Sequence, residues 1–293
     1  MTGLLKTANG KKVFPFLKWV GGKSSIIDFL FMRIPTRGEV LVEPFVGCGV
    51  LFLNTSYERY ILADTNRDLI NTYQLLQDDP DALISELNKL WDPDFVNKDA
   101  YLKLRDEFNK DPFEKSLRRS SIFIFMNRFG FHGLCRYNSE GLFNVPFGAK
   151  SEKLPDFDDF KGKLMDFAAK SQKNVEFFCQ DFSETFAISP KNSVIYCDPP
   201  YAPINDKTFT GYGGYPFTLD DQRRLHCMAK EFLKNNDEGK VFISNHSTEF
   251  ITELYYDAAC IDNFQVVRKV AMHADERDEV TEILATFEGG KVK

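Results

Sequence analysis

The sequence predicts an α/β fold: a Rossmann-like, doubly wound sheet domain that holds a nucleoside, interrupted by an inserted unit of helices and a β-hairpin. Three observations predict it. Short apolar runs end at acids three times, at Asp64, Asp181 and Asp198, as when a nucleoside lies across the carboxyl edge of a sheet. The first apolar run is followed by Gly47-Cys48-Gly49, a tight loop opening a helix. From residue 67 to about 125 the apolar spacing turns helical, which breaks the series of strands.

At 293 residues the chain has room for a main domain and a smaller one, and the spacing change divides it into 1–66 with 157–293, and 67–156. Hydrophobic residues at 43% and charged residues at 27% exclude a disordered chain, and no apolar run approaches the length of a membrane span. The start, Met1-Thr2-Gly3-Leu4-Leu5-Lys6, lacks a secretory apolar region, and the six cysteines form neither a Cys-x-x-Cys pair nor a His-assisted metal spacing. A cytoplasmic protein with reduced thiols and no metal is expected. The net charge of −6 speaks mildly against nucleic acid, yet residues 1–25 and residues 115–150 each carry a local +5. Acids gather elsewhere, at 78–81, 156–159 and 275–279, as solvated faces or helix starts.

Taken in order, Lys18-Trp19-Val20-Gly21-Gly22-Lys23 is a glycine turn opening a helix. It can meet an anion, or it is a plain loop and cap; a Walker loop is excluded by the missing upstream glycine. Val40-Leu41-Val42 reads as a strand running into Glu43-Pro44-Phe45-Val46-Gly47-Cys48-Gly49, the first βα turn. Tyr60-Ile61-Leu62-Ala63 is the second strand, and Asp64, fifteen residues past Gly49, suits ribose hydroxyls. Phe52 stands where a dinucleotide fingerprint needs its third glycine, so a single nucleoside without pyrophosphate is favoured over NAD.

The helical stretch leads into Asn127 to Gly148, where glycines, arginines, asparagines and aromatics alternate around a turn at Asn138-Ser139-Glu140-Gly141. This reads as an exposed hairpin. Val175 to Cys179 is the third strand; Thr218 caps an amphipathic helix to Phe232; Val241 to Asn245 is a further strand; Phe264–Val270 and Glu279–Phe287 pair at the end. Between them, Val194-Ile195-Tyr196-Cys197 stops at Asp198-Pro199-Pro200-Tyr201. Prolines neither continue a ladder nor donate to one, so an acid, a rigid turn with free carbonyls and an aromatic ring are displayed at a strand end. That set grips an exocyclic amine on a flat heterocycle; alone, it is equally a strand followed by a capping Asp.

Five stretches occur in one order: Phe16-Leu17-Lys18-Trp19-x-Gly21-Gly22-Lys23, the Glu43–Gly49 loop, Asn127-Arg128-Phe129-Gly130-x-x-Gly133-Leu134-Cys135-Arg136-Tyr137-Asn138, Phe143-Asn144-Val145-Pro146-Phe147-Gly148, and Asp198-Pro199-Pro200-Tyr201-Ala202-Pro203. On these, nearly the whole chain resembles the DNA adenine-N6 methyltransferase family, the Dam type that modifies adenine in GATC. The resemblance implies S-adenosylmethionine as methyl donor, bound by Trp19, Lys23, Glu43, Phe45, Gly47, Gly49, Asp64, Asp181, Phe182 and Asp198. It implies a catalytic turn of Asp198, Pro199, Pro200 and Tyr201, direct transfer to a flipped adenine, and 67–156 as the target-recognition domain. On the DNA side, Phe131 would insert into the stack and His132 fill the space left by the flipped base. Leu134 would touch a thymine methyl, Arg136 would read a guanine, and Lys18 would reach the outer pair. Arg105, Arg128, Asn138 and Asn144 would contact phosphates.

Duplex DNA is then the partner, with no membrane and no obligate protein partner. The sequence departs from the family twice. His132 stands where Asn is frequent, and Met272 to Glu279 is acidic where relatives are basic. A catalytically silent DNA binder, an N4-cytosine enzyme or an RNA methyltransferase are the alternatives. Intact glycine and Asp-Pro-Pro-Tyr motifs oppose the first, and the hairpin with Arg136 opposes the others.

Overall fold

The computed structural model describes residues 12–148, 154–203, 217–234, 236–267 and 279–290. A short helix, α1 (Ile27–Phe31), precedes β1 (Arg37–Glu43), which starts exposed and ends fully buried. Helix α2 (Val50–Asn54) follows the glycine loop, and β2 (Ser56–Asp64) runs parallel to β1. Four helices come next: α3 (Arg67–Asp78), α4 (Pro80–Asn88), α5 (Lys98–Phe108) and α6 (Leu117–Phe129). Their starts are written in the sequence, because Asn66, Asp79, Asn97 and Ser116 each accept a first-turn N–H. Helix α6 is buried on nearly every side from Arg119 to Asn127, so it is the centre of the helical unit.

Helix α7 (Phe157–Ser171) leads to β3 (Val175–Cys179), and α8 (Phe182–Ile188) leads to β4 (Val194–Cys197). Then come α9 (Leu219–Lys234), β5 (Lys240–His246), α10 (Glu249–Leu254), β6 (Cys260–Val267) and β7 (Glu279–Glu288). The seven strands form one sheet in the order β3-β2-β1-β4-β5-β7-β6, parallel except for β7, which is antiparallel to both neighbours. Alternate strand residues feed two cores. Leu41, Leu62, Phe177, Tyr196 and Phe242 face α3 and α7. Val42, Ile61, Ile195, Val241 and Ile243 face α8, α9 and α10. The chain turns back on itself between β1 and β4, and the carboxyl ends of those two strands open a crevice where α/β sheets bind ligands.

The strands expected from the sequence are present, including the terminal β6–β7 pair. Its first member was expected to reach Val270, and 268–270 lie outside the described residues. So does the acidic stretch from Met272 to Asp278. Helix α7 was not foreseen as a helix, although its cap, Asp156, lay in a cluster read as a helix start or solvated face. The hairpin differs as well. Between Gly130 and Phe147 only two isolated antiparallel bridges form, Gly130–Phe147 and Tyr137–Phe143. Residues Phe131–Gly133 form a 3-10 turn with His132 at φ 53° and Gly133 at φ 68°, and this interrupts any ladder. Helix α3 packs on the sheet, with Tyr73 5.5 Å from Phe177 of β3 and stacked 4.5 Å from Phe167 of α7, so the helical unit shares the sheet's core. No disulfide links the cysteines, and among the described residues no helix is long and apolar enough to cross a membrane.

Candidate active site

Buried Tyr196 and Cys197 fix the end of β4, and Asp198 is the first residue beyond it. Lys23, at the start of a 3-10 turn, sends its ammonium to within 2.7 Å of Asp198 Oδ1. The same ammonium donates to the Gly21 carbonyl at 2.6 Å and lies 4.8 Å from the centre of the Tyr201 ring. The lysine side chain is 6% exposed and the aspartate 20%, so the acid alone keeps an open face. Burial raises the Asp198 pKa, while the Lys23 charge and hydrogen bonding work against that rise. The glycine turn thus meets an anion, and the anion is the protein's own.

Glu43 ends β1 beside this pair. It is 3% exposed, and its Oε1 finds no hydrogen-bond partner among the described residues. Burial pushes its pKa up to about 8, and the neighbouring Asp198 charge adds to the rise. Cys48 is likewise pushed up to about 12, chiefly by burial, so it stays an unreactive thiol.

Asp64 ties the glycine loop to α3. One carboxylate oxygen accepts the Gly47 N–H at 3.1 Å and the other the Asn66 N–H at 2.9 Å, while burial raises its pKa to about 6. Gly47 takes φ 46°, and a Cβ there would lie 2.8 Å from the Trp19 indole nitrogen, so the indole can lie on the loop only because residue 47 has no side chain. The Tyr73 hydroxyl holds the Gly47 carbonyl from behind at 2.6 Å. Gly49, at φ 67°, caps α2. Phe45 and Phe182 stack at 5.5 Å. Asp181 begins α8 in a capping box with Glu184 and takes Arg224 on both oxygens, at 2.7 and 2.6 Å. Arg224 escaped the sequence reading because it lies far along the chain on α9.

The residues expected to face DNA lie on and around the bridged loop. Lys18 is held by buried Asn127, which accepts the Lys18 N–H at 2.9 Å and donates to the carbonyls of Lys18 at 2.7 Å and Gly133 at 3.1 Å. Asn127, whose place in the motif gives it no role by itself, joins the Trp19 segment to the loop through its amide. The Lys18 ammonium donates to the Arg128 carbonyl, and burial lowers the pKa of both side chains. Phe131 is 46% exposed and meets His132 edge-on at 4.2 Å. Leu134 is half-buried. Arg136 donates to the Asn144 side-chain oxygen at 2.8 Å, and Asn144 N–H to the Arg136 carbonyl at 3.1 Å. Asn138 spends its side-chain oxygen on the N–H groups of Glu140 and Leu142, as a turn former. Arg105 reaches the Val145 carbonyl from α5.

Residues 19–273 match the model of the D12 class N6 adenine-specific DNA methyltransferases. DNA adenine methylase of Haemophilus influenzae is 44% identical over 278 residues, 93% of each chain. The Vibrio cholerae DNA adenine methylase is also 44% identical, over 94% of this chain and 97% of its own. That of Escherichia coli is 41% identical over 285 residues, 96% of this chain and 98% of its own. With a full-length match of this kind joined to an acid, an ammonium and an aromatic ring at the sheet's switch point, the chain belongs to the D12 class of N6 adenine-specific DNA methyltransferases.

Proposed function

We propose that the protein transfers a methyl group from S-adenosylmethionine to N6 of an adenine flipped out of duplex DNA, at GATC. The observation that carries this reading is the Asp198 carboxylate, open on one face, paired with buried Lys23 and set beside Tyr201. Adenine N6 is a poor nucleophile because its lone pair is delocalised into the ring. Hydrogen bonds from the amino group to the Asp198 carboxylate and the Pro199 carbonyl favour a more tetrahedral nitrogen and free that pair. The Pro199-Pro200 turn keeps the carbonyl fixed, and Tyr201 offers a stacking face. Burial raises the Asp198 pKa, and the Lys23 ammonium beside it works against that rise and so favours the charged acceptor.

The cofactor pocket suits a sulfonium nucleoside. Glu43 presents a buried oxygen without a partner, and Gly47, lacking a side chain, lets the Trp19 indole lie against the glycine loop. Trp19, Lys23, Glu43, Phe45, Gly47, Gly49, Asp64, Asp181, Phe182 and Asp198 would hold S-adenosylmethionine, which supplies an electrophilic methyl group when bound. The family to which the chain belongs supports that donor.

The segment 67–156 is the target-recognition domain in this reading. Arg136 reads a guanine and Leu134 a thymine methyl, since bidentate Arg on guanine and apolar contact with the methyl suit the major groove. Phe131, 46% exposed, inserts into the stack, His132 fills the vacated space, and Lys18 reaches the outer pair. Arg105, Arg128, Asn138 and Asn144 contact phosphates and set register. Incubating GATC and non-GATC duplexes with labelled S-adenosylmethionine, followed by nucleoside analysis, tests base and sequence together. N6-methyladenine confined to GATC is expected. Asp198→Ala is expected to abolish transfer while DNA still binds; retained turnover in that variant overturns the assignment of the turn.

A further inference from the structure

The Asp198 turn is gripped from behind by side chains outside its motif. Its two prolines have no N–H, so the turn lacks donors with which to brace itself and depends on its surroundings. Gln222, on α9 and fully buried, donates from Nε2 to the Pro200 carbonyl at 2.9 Å. Asn245, fully buried near the end of β5, donates from Nδ2 to Gln222 Oε1 at 2.9 Å. Its Oδ1 accepts the N–H of Ala202 at 3.0 Å and of His246 at 2.9 Å. His246 Nδ1 lies 2.9 Å from the Ala202 carbonyl; a carbonyl only accepts, so this nitrogen carries the proton. The imidazole then meets the Tyr201 ring edge-on at 4.8 Å.

Every bond in this chain has one sense. Gln222 must donate to Pro200, so its oxygen must face Asn245. Asn245 must donate there, so its oxygen must face Ala202. Neither amide can turn over without placing like groups against each other in a buried site. The polarity of the backbone on the distal side of Asp198 and Pro199 is thereby set by two scaffold elements.

We infer that Gln222 and Asn245 are positioning residues for methyl transfer, holding the Pro200–Ala202 backbone so that the Asp198 carboxylate and the Pro199 carbonyl face the target amine together. This rests on the reading of the turn as the N6 site. Displacement of such a group by about 1 Å costs roughly 10²-fold in rate. Gln222→Glu preserves size but sets an acceptor against the Pro200 carbonyl. Asn245→Asp preserves the acceptor for Ala202 and forces Gln222 to choose between the new carboxylate and Pro200.

The test is single-turnover methylation of a GATC duplex at saturating S-adenosylmethionine, with S-adenosylhomocysteine and DNA affinities and melting temperatures measured alongside. Gln222→Glu is expected to lower the rate constant about 10²-fold and Asn245→Asp about 10-fold, with both affinities within about 3-fold of wild type. A role confined to folding lowers the burst amplitude and the melting temperature but leaves the rate constant of the active fraction unchanged; that result overturns the inference. If Gln222→Glu does not fold, Asn245→Asp decides by the same criterion. Asp198→Ala in the same assay separates the two claims. Transfer retained there defeats the reading of the turn, whereas transfer lost there with wild-type rate constants in the other variants defeats the positioning role alone.

Discussion

Glu43 sits at the end of a strand, where its carboxyl group loses water and gains no partner of opposite charge. Its pKa stands near 8 against an ordinary 4.5, so the folded protein binds a proton that the unfolded chain releases. Between about pH 4.5 and 8 that difference lowers stability as pH rises, and above 8 the loss is complete. Glu43→Gln cannot ionise, so the ligand-free variant is expected to gain several degrees of melting temperature on wild type as pH rises from 5 to 8.5, with little gain at pH 5. Asp64, raised from 3.8 to about 6, acts in the same sense at lower pH and leaves part of the slope in place. Equal melting profiles for both proteins would show that Glu43 is ionised in the fold. Glu43 stands out in the sequence through the Glu43–Gly49 motif. The missing partner became visible only when β1 and β4 were seen side by side.

At the level of elements, the bridged loop is fastened to α3 and α6 by a buried triad. The Tyr137 hydroxyl donates to Asp68 Oδ2 at 2.7 Å, and Arg119 Nε donates to Asp68 Oδ1 at 2.8 Å. Both charged side chains are under a tenth exposed, so each depends on the other's presence. Tyr137→Phe leaves a buried carboxylate oxygen without its donor, with an expected cost of about 1–3 kcal/mol in denaturant unfolding. An unchanged unfolding midpoint would show that water replaces the hydroxyl. Strands and the Thr218 cap were legible because alternation, β-branched runs and a capping hydroxyl are local signals. The loop was read as a hairpin from its turn at Asn138, and that turn is present. The ladder is not, because the 3-10 turn at Phe131–Gly133 interrupts it, and Gly133 in that turn packs so tightly on Lys18, a residue distant in sequence, that any Cβ there would collide with the lysine side chain. Tyr137, Asp68 and Arg119 likewise come together only through the packing of three elements.

Across the whole molecule, charge decides how DNA is held. The chain carries −6 overall, with positive charge gathered in residues 1–25 and 115–150 and an acidic stretch at 275–279, where the family resemblance implies a basic one. A side that neutralises fewer phosphates releases fewer counterions. The slope of log K against log salt for GATC duplexes is therefore expected to be shallower than for a relative with a basic segment there, by roughly 0.9 for each phosphate left unneutralised. Equal slopes would show that these acids do not reduce the number of phosphates engaged.

The sequence by itself determined the fold class, the order of the strands along the chain, the glycine loop, the three strand-end acids and the resemblance that named adenine. Each of these is carried by neighbours in sequence, through periodicity, turn chemistry or short motifs. Only the tertiary structure decided that Lys23 pairs with Asp198, that Glu43 buries one oxygen without a partner, that Arg224 occupies Asp181, and that Gln222, Asn245 and His246 brace the Asp198 turn. The reason is geometric. A parallel sheet with a switch point brings together strand ends separated by whole helices, and no local pattern records which side chains then meet.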